Sequence, residues 1–324
     1  MRQLYFCAMT LLEVKNVSKQ LGGVKIVNDT SFEQLALQKV AIAGQSGAGK
    51  STLLKIISGH TQPDSGMALL NGHRVIGPEE KLLAGHKQIA YLSQHYELLN
   101  NYYVKDLICY QMQIDREAAM HLFELCRIRH LLERKTGQLS GGEKQRIALC
   151  GLLVKSPRLL ILDEPFSNLD LIHSDTLKSV LEDITEQLQI TCLLASHDPL
   201  DTLSWADMIL VMQEGTLIQQ GTPEEIYHHP LNEYVAGLFG KYQVFSPDKK
   251  RFLGIGTSSQ DYIFRPEDFV LGRNLSDAVQ GIIGKIRFCG AYYEVEVSIN
   301  NWKLTVRSLD DQWNIGEEIL IKKK

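Results

Sequence analysis

The sequence has no long apolar run and little net charge. No segment approaches the roughly 18 consecutive apolar residues that a membrane-spanning helix needs, so we do not expect a transmembrane protein. Lysine and arginine total 34 against 38 aspartates and glutamates, which leaves a formal net charge of −4. A protein built to hold nucleic acid usually presents a broad basic surface. We therefore expect a soluble globular chain with no nucleic-acid partner.

Cysteine is also sparse. No two of the six cysteines have the Cys-x-x-Cys spacing of a metal site. Several lie in apolar runs, where a thiol behaves as a small hydrophobic group. We expect reduced, structural thiols of an intracellular protein. The six are Cys7, Cys109, Cys126, Cys150, Cys192 and Cys289.

Pattern and composition divide the chain into three parts. Residues 1–10 are too few for the three regions of a signal peptide, so we assign them to an N-terminal extension, with Met1 or Met9 as the start. Residues 11–240 alternate strand-like apolar runs with amphipathic helices, which is typical of an α/β domain. Residues 241–324 change character and form a separate β-rich domain.

Buried strands of the α/β domain are indicated by short apolar runs bounded by turn residues. They are Val40–Ala43, Leu159–Leu162, Thr191–Ala195 and Met208–Met212, the last forming a hairpin with Thr216–Gln219. Between about 95 and 140 these signals give way to helix-like spacing. We predict a helical insertion in the α/β core there.

An alternation of period two marks the last domain. Tyr293, Val295, Val297 and Ile299 are separated by polar or amphipathic residues, and 303–307 repeats the alternation. We predict a small all-β barrel or sandwich.

The first chemical motif is a complete G-x-x-x-x-G-K-[ST] pattern between a strand and a helix. Its glycines allow successive backbone N–H groups to face phosphate oxygens, and the helix N-terminus adds partial positive charge. Lys50 is expected to reach the β- and γ-phosphates, and Ser51 to ligate Mg²⁺. The expected nucleotide-binding residues are Gly44, Gln45, Ser46, Gly47, Ala48, Gly49, Lys50, Ser51 and Thr52.

The second motif is Asp163-Glu164, at the end of a predicted buried strand. In P-loop enzymes an aspartate at this place holds Mg²⁺. Neighbouring residues of an extended chain point to opposite sides. We therefore expect Asp163 to serve the metal and Glu164 to face the attacking water as general base.

Between these two motifs stands Leu139-Ser140-Gly141-Gly142-Glu143. It resembles the signature sequence of ABC-type ATPases, and residues 11 to about 240 resemble an ABC transporter nucleotide-binding domain, with its motifs in the same order. The resemblance implies a P-loop ATPase fold with a helical subdomain, binding of ATP and Mg²⁺, and ATP hydrolysis.

The resemblance also assigns roles to further residues. Gln94 matches the Q-loop glutamine, which contacts Mg²⁺ and senses the membrane partner. Asp170 matches the D-loop, which crosses the dimer interface, and His197 matches the switch histidine at the γ-phosphate. The catalytic set implied is Lys50, Gln94, Glu164 and His197, and the metal set is Ser51, Gln94 and Asp163.

The signature makes physical sense as a second phosphate site. Ser140 offers a hydroxyl, Gly141 and Gly142 allow close backbone approach, and the following helix presents its N-terminal N–H groups. In the family this site binds the ATP held by another subunit. We therefore expect a head-to-tail homodimer that encloses two ATP molecules.

The tail and the Q-loop region indicate a transport role by the same resemblance. Phe264-Arg265-Pro266-Glu267-Asp268 resembles the start of the TOBE-type, OB-like barrel on importer ATPases. Such a subunit docks transmembrane permease subunits through the Q-loop and helical subdomain and serves a periplasmic or lipoprotein solute-binding protein indirectly. The expected location is cytoplasmic, peripheral on the inner face of the membrane.

One departure from the family bears on nucleotide affinity. Leu21 stands where an aromatic residue usually stacks on adenine. Stacking on an aromatic platform is worth roughly 1–3 kcal/mol per base, so we expect weakened ATP binding.

Two other functions remain open at this stage. An export ATPase has the same nucleotide-binding fold, and only the tail argues against it. A soluble ABC ATPase acting on ribosomes or DNA usually has two ATPase domains or a long coiled-coil insertion, and neither is present here.

Overall fold

The computed structural model describes residues 9–94, 98–109, 116–167, 169–256 and 262–324. The chain forms two compact units, Met1–Ile226 (unit 1) and Tyr227–Lys324 (unit 2). Most of the predicted extension 1–10 lies outside the described residues. The domain boundary near residue 240 stays a prediction, since the compact units meet fourteen residues earlier.

Unit 1 contains a central sheet and a second, smaller sheet. Its strands are β1 (Thr10–Leu21), β2 (Val24–Leu35), β3 (Lys39–Ala43), β4 (Ser65–Leu70), β5 (His73–Arg74), β6 (Ile89–Leu92), β7 (Leu159–Asp163), β8 (Thr191–Ser196), β9 (Met208–Gln213) and β10 (Thr216–Gly221). The central sheet has the order β10-β9-β3-β8-β7-β6. Strands β9, β3, β8, β7 and β6 are parallel, and β10 pairs antiparallel with β9. The predicted buried strands and the hairpin are therefore confirmed.

The smaller sheet is antiparallel, in the order β2-β1-β4-β5. Sequence reasoning had not resolved it. Its apolar residues join one core with those of the central sheet, and Leu53, Leu54 and Ile57 of the helix between the sheets are fully buried in that core.

Helices lie between or after several of these strands along the chain of unit 1. They are α1 (Lys50–Ile57), α2 (Val104–Cys109), α3 (Arg116–Leu125), α4 (Gly141–Leu153), α5 (Leu171–Leu188), α6 (Pro199–Leu203) and α7 (Pro223–His228), the last crossing into unit 2. Between β6 and β7 the described residues form only helices and turns, apart from a single bridge between Tyr103 and Lys135. This is the predicted helical insertion. Within the described ranges, no helix is long and apolar enough to span a membrane.

Unit 2 is mostly antiparallel strand. Its elements are α8 (Glu233–Leu238), β11 (Gln243–Val244), α9 (Pro247–Phe252), β12 (Ile263–Phe264), β13 (Phe269–Gly272), β14 (Val279–Phe288), β15 (Tyr293–Ile299), β16 (Trp302–Ser308) and β17 (Glu318–Lys323). Five strands form an OB/TOBE-like half-barrel in the order β13-β17-β14-β15-β16. On β15, Val295, Val297 and Ile299 are fully buried, as the alternation predicted.

Arg265 gives the Arg-Pro-Glu-Asp motif a structural role in unit 2. Its guanidinium is buried and lies over the ring of Tyr227 at 4.3 Å. It donates hydrogen bonds to the carbonyl oxygens of Ala236, Gly240 and Lys241, at 2.8–3.2 Å, and to that of Tyr227. Tyr227 and Ala236 lie in the last turns of α7 and α8, and Gly240 and Lys241 follow α8. Carbonyls at helix ends lack partners within the helix. One side chain thus donates to four backbone carbonyls, of which, among the described residues, only that of Ala236 is also seen to accept from a backbone N–H, that of Phe239.

We expect Arg265→Ala to destabilise unit 2 by about 3 kcal/mol, because buried carbonyls left without donors cost about 1–3 kcal/mol each, less where water can reach them. The matched control is Arg273→Ala, whose guanidinium is half exposed and pairs with Glu317; an exposed pair contributes below about 1 kcal/mol. Denaturant unfolding followed by tryptophan fluorescence measures both, since Trp302 and Trp313 lie in unit 2. Equal losses would contradict the anchoring role of Arg265.

Candidate active site

The phosphate-type loop, residues 44–49, joins the carboxyl end of β3 to the start of α1. Gly49 is the N-cap of α1 with φ +99°, a conformation open mainly to glycine. A Cβ there would overlap the carbonyl oxygen of Ile26 on β2. The loop is therefore held close against β2, with the N–H groups of the first turn of α1 presented as an anion site.

Lys50 is buried at the first position of α1. Its Nζ donates to the carbonyl oxygens of Gly44 at 2.7 Å and Gln45 at 3.2 Å. It also lies 3.4 Å from Oε1 of Glu164. The ammonium group of Lys50 thus lies across the loop whose bound phosphates it is expected to contact.

The carboxyl end of β7 supplies two carboxylates with separate partners. Asp163 Oδ1 accepts a hydrogen bond from Ser51 Oγ at 2.9 Å. Glu164 Oε2 lies 2.7 Å from Nδ1 of His197, which follows β8. The sequence predicted that the two side chains point apart because the backbone is extended. Instead, Glu164 adopts φ +51°, and its N–H donates to the carbonyl oxygen of Ala195 at 2.9 Å. The left-handed turn, rather than strand alternation alone, directs Glu164 away from Asp163.

Five residues form what we call the active-site cluster: Lys50, Ser51, Asp163, Glu164 and His197. Glu164 lies between a buried cation and a half-exposed imidazole (54% exposed). A carboxylate so placed can accept a proton from a water molecule, while the imidazole faces both the carboxylate and solvent.

Tyr91 belongs to the same neighbourhood, although sequence reasoning gave it no role. Its phenol donates to Oδ2 of Asp163 at 2.9 Å. Burial raises the pKa of Tyr91, and the negative charge of Asp163 raises it further. The phenol therefore remains protonated and available as a donor. The contact depends on the pairing of β6 with β7, which places Tyr91 in register with Ile161, and the local sequence does not indicate that pairing.

The donor set of the cluster fits Mg²⁺. Ser51 Oγ and Asp163 Oδ1 converge, and hydroxyl and carboxylate oxygens are the ligands that Mg²⁺ prefers. Among the described residues, no group of three or more His, Cys, Asp and Glu side chains could hold an ion by itself. Mg²⁺ in phosphoryl-transfer sites is usually held by one or two side chains together with substrate phosphates and water. Gln94, the third predicted ligand, is exposed two residues beyond β6.

A second group of predicted residues surrounds the start of α4. Ser140 is its N-cap in a capping box: Ser140 Oγ accepts from the N–H of Glu143 at 3.3 Å, and Ser140 N donates to Glu143 Oε2 at 2.8 Å. Ser140 and Gly141 are exposed. The capped helix thus presents its positive end at the surface.

Gly142 and Asp170 are joined through His173. A Cβ on Gly142 would lie 2.8 Å from Cδ2 and 3.1 Å from Cβ of His173. Asp170 is the N-cap of α5, and its carboxylate accepts from the His173 backbone N–H and lies 2.8 Å from Nδ1. These two hydrogen bonds lower the pKa of Asp170. We call Ser140, Gly141, Gly142, Asp170 and His173 the signature cluster; Asn168 of the predicted D-loop lies outside the described residues.

Comparisons with known proteins point to one family. The ABC transporter family matches residues 27–167. The chain is 30% identical to a spermidine/putrescine import ATP-binding protein of Mycoplasma capricolum, over 97% of this chain and 95% of that protein. It is 33% identical to a sulfate/thiosulfate import ATP-binding protein of Synechocystis sp., over 88% of this chain and 83% of that protein.

Solved structures share the fold. The structure of cbiO1 from Clostridium perfringens, part of an ABC transporter complex, is 26% identical, with a TM-score of 0.60 over 67% of this chain and 90% of that one. The chain therefore belongs to the ATP-binding proteins of ABC transporters, which hydrolyse ATP.

Proposed function

We propose that this chain is the ATPase subunit of an importer for a small solute or ion and works with Mg²⁺ as a head-to-tail homodimer. The observation that carries the proposal is the placement of Glu164 between Lys50 and His197, beside the Ser51–Asp163 pair. The importer assignment is supported by relatives whose names denote import and whose similarity extends through the C-terminal unit.

The residues divide the work by position. The 44–49 loop and Lys50 bind the phosphates. Ser51, Asp163 and Gln94 would hold Mg²⁺, which would supply charge neutralisation during phosphoryl transfer. Glu164 takes the proton of the attacking water, a role worth roughly 10²–10⁴-fold. His197 donates toward the γ-phosphate from its place beside Glu164.

The homodimer is supported by what one subunit leaves exposed. The capped N-terminus of α4 presents Ser140 and Gly141 to solvent. Next to Asp170, Leu171 and Ile172 are 81% and 77% exposed. An apolar pair beside a charged turn is typical of an interface. A second copy that delivers its ATP to the signature cluster would cover both features.

Permease docking is supported near Gln94. Leu99, Tyr102 and Tyr103 are exposed apolar side chains at the start of the helical insertion. Such a surface suits a helix of a transmembrane permease. We propose that the subunit binds the permease here from the cytoplasmic face and that a solute-binding protein acts through the permease.

Glu164→Gln tests the general base. The amide cannot accept the proton but keeps the shape of the site, so we expect ATP to bind, the dimer to persist with ATP, and turnover to fall roughly 10²–10⁴-fold. Steady-state ATPase assays and size-exclusion chromatography with ATP measure these effects. The control is Glu182→Gln, an exposed glutamate of α5. Near-normal turnover in Glu164→Gln would remove Glu164 from this role.

The two signature glycines offer a matched test of the second phosphate site. Nothing lies within 4 Å of a Cβ built on Gly141, and alanine is favoured over glycine in a helix by about 1 kcal/mol. Gly141→Ala should therefore leave monomer stability unchanged or higher, yet lower ATPase activity and ATP-driven dimerisation, because the Cβ obstructs the partner's nucleotide. Thermal unfolding without nucleotide and ATPase assays measure the two effects.

Gly142→Ala should differ in kind. Its Cβ meets the ring of His173, so both thermal stability and activity should fall. Full activity in Gly141→Ala would argue against a nucleotide at the signature.

Leu21→Tyr tests the adenine contact. Leu21 is 52% exposed at the end of β1. It pairs with Val24 of β2, the strand whose Ile26 lies against Gly49 of the phosphate-type loop. A ring there should tighten ATP binding about tenfold, the equivalent of 1.4 kcal/mol. Inorganic tripolyphosphate, which lacks the base, is the control ligand and should bind equally to both proteins. Unchanged ATP affinity would show that Leu21 is not the adenine platform.

A further inference from the structure

The position of Tyr91 follows from the register of two parallel strands. On β6, Tyr91 pairs with Ile161 of β7, and Leu92 pairs with Leu162. Side chains paired in this way point to the same face of the sheet, and Asp163, two residues after Ile161, points there too. The strand rise over two residues is about 6.6 Å, which the long axis of a tyrosine side chain can span. Its hydroxyl therefore meets Asp163 without distortion of either strand.

The two oxygens of Asp163 have different donors. Oδ1 accepts from Ser51 Oγ and Oδ2 from the Tyr91 hydroxyl, both at 2.9 Å. The terminal torsion of an aspartate is broad and soft. A donor on each oxygen fixes that torsion, so that Oδ1 stays at the hydroxyl with which it would share a metal ion.

The ring of Tyr91 is also held on its own side. The imidazole of His60 lies against it, with ring centroids 5.3 Å apart, and His60 Nδ1 is 2.9 Å from Ser58 Oγ in the turn after α1. Helix α1 begins at the phosphate-type loop and ends at this turn. Tyr91 is thus connected to both ends of α1, through Asp163 to Ser51 and through His60 to Ser58.

We propose that Tyr91 is a positioning residue for the metal site: its hydroxyl orients Asp163 and links that carboxylate to the strand that leads to Gln94. This inference rests on the proposed function, because it requires that Asp163 and Ser51 hold Mg²⁺. Gln94 is three residues beyond Tyr91, so a displacement of this strand at the permease would reach the metal carboxylate through one hydrogen bond.

Tyr91→Phe in the full-length protein tests the role, since it removes only the hydroxyl. The readout is the affinity for Mn²⁺, used in place of Mg²⁺ and followed by electron paramagnetic resonance with a non-hydrolysable ATP analogue. Loss of a group that orients a metal ligand typically weakens metal binding 10–100-fold, and we expect that range. Analogue binding in EDTA should stay within about twofold, and excess Mg²⁺ should restore the maximal ATPase rate.

Two controls complete the experiment. Tyr227→Phe removes a tyrosine hydroxyl bonded to Glu267 in unit 2, and it should leave Mn²⁺ affinity unchanged. Ser51→Ala removes a proposed ligand and should abolish tight Mn²⁺ binding. If Ser51→Ala binds Mn²⁺ as the wild type does, the proposed metal site itself fails.

Other results would contradict the positioning role of Tyr91. If Tyr91→Phe binds Mn²⁺ with wild-type affinity while Ser51→Ala does not, the positioning role of Tyr91 is wrong and the proposed metal site stands. A Tyr91→Phe protein that unfolds, or that loses EDTA-insensitive analogue binding in proportion to metal binding, would show that the hydroxyl serves the fold instead.

Discussion

Five parallel strands of unit 1 end at one edge of the central sheet, and the chemistry of the protein depends on that edge. Strand β3 delivers the phosphate-type loop, β7 delivers Asp163 and Glu164, and β8 delivers His197. Ser51 and Asp163, 112 positions apart in sequence, therefore meet within hydrogen-bonding distance, as do Glu164 and His197, which are 33 positions apart. The same edge is where open α/β sheets commonly bind their ligands. In this protein the buried Lys50 and Glu164 hold each other in place there, because two charges shielded from water are stable only when paired.

The signature cluster is built by a different and more local rule. Ser140 and Asp170 each cap the helix that follows, and both motifs are therefore stable within one subunit. Both motifs also present groups at the surface: Ser140 and Gly141 at the start of α4, and the apolar pair Leu171 and Ile172. The active-site cluster is internally paired, whereas the signature cluster presents groups outward. This asymmetry supports the proposed dimer, in which the outward-facing signature cluster of one subunit meets the nucleotide of the other.

Unit 2 shows how a small β-domain compensates for a limited core. Alternating apolar residues fill the inside of the half-barrel. Buried charged side chains form hydrogen bonds with neighbouring segments of unit 2. Arg265 gathers carbonyls near the ends of α7 and α8, and Glu294, also buried, accepts two hydrogen bonds of 2.6 Å from Lys241. At the edge of the sheet, the side chain of Gln243 pairs with both backbone groups of Thr305. Such pairing protects an edge strand from association with other chains.

The sequence by itself determined the central strands, the helical insertion, the alternation of β15 and the identity of the nucleotide motifs. Short apolar runs, glycine spacing and period-two patterns are local properties, and local sterics and solvation are enough to determine them. Only the tertiary structure decided the contacts that arise between distant segments: Tyr91 on Asp163, His173 against Gly142, and Arg265 on its carbonyls. The left-handed turn at Glu164 also escaped local reasoning. A non-glycine residue adopts it at a cost of order 1–3 kcal/mol that the surrounding structure must offset. Those compensating contacts with Ala195, Lys50 and His197 exist only once the parallel strands have come together.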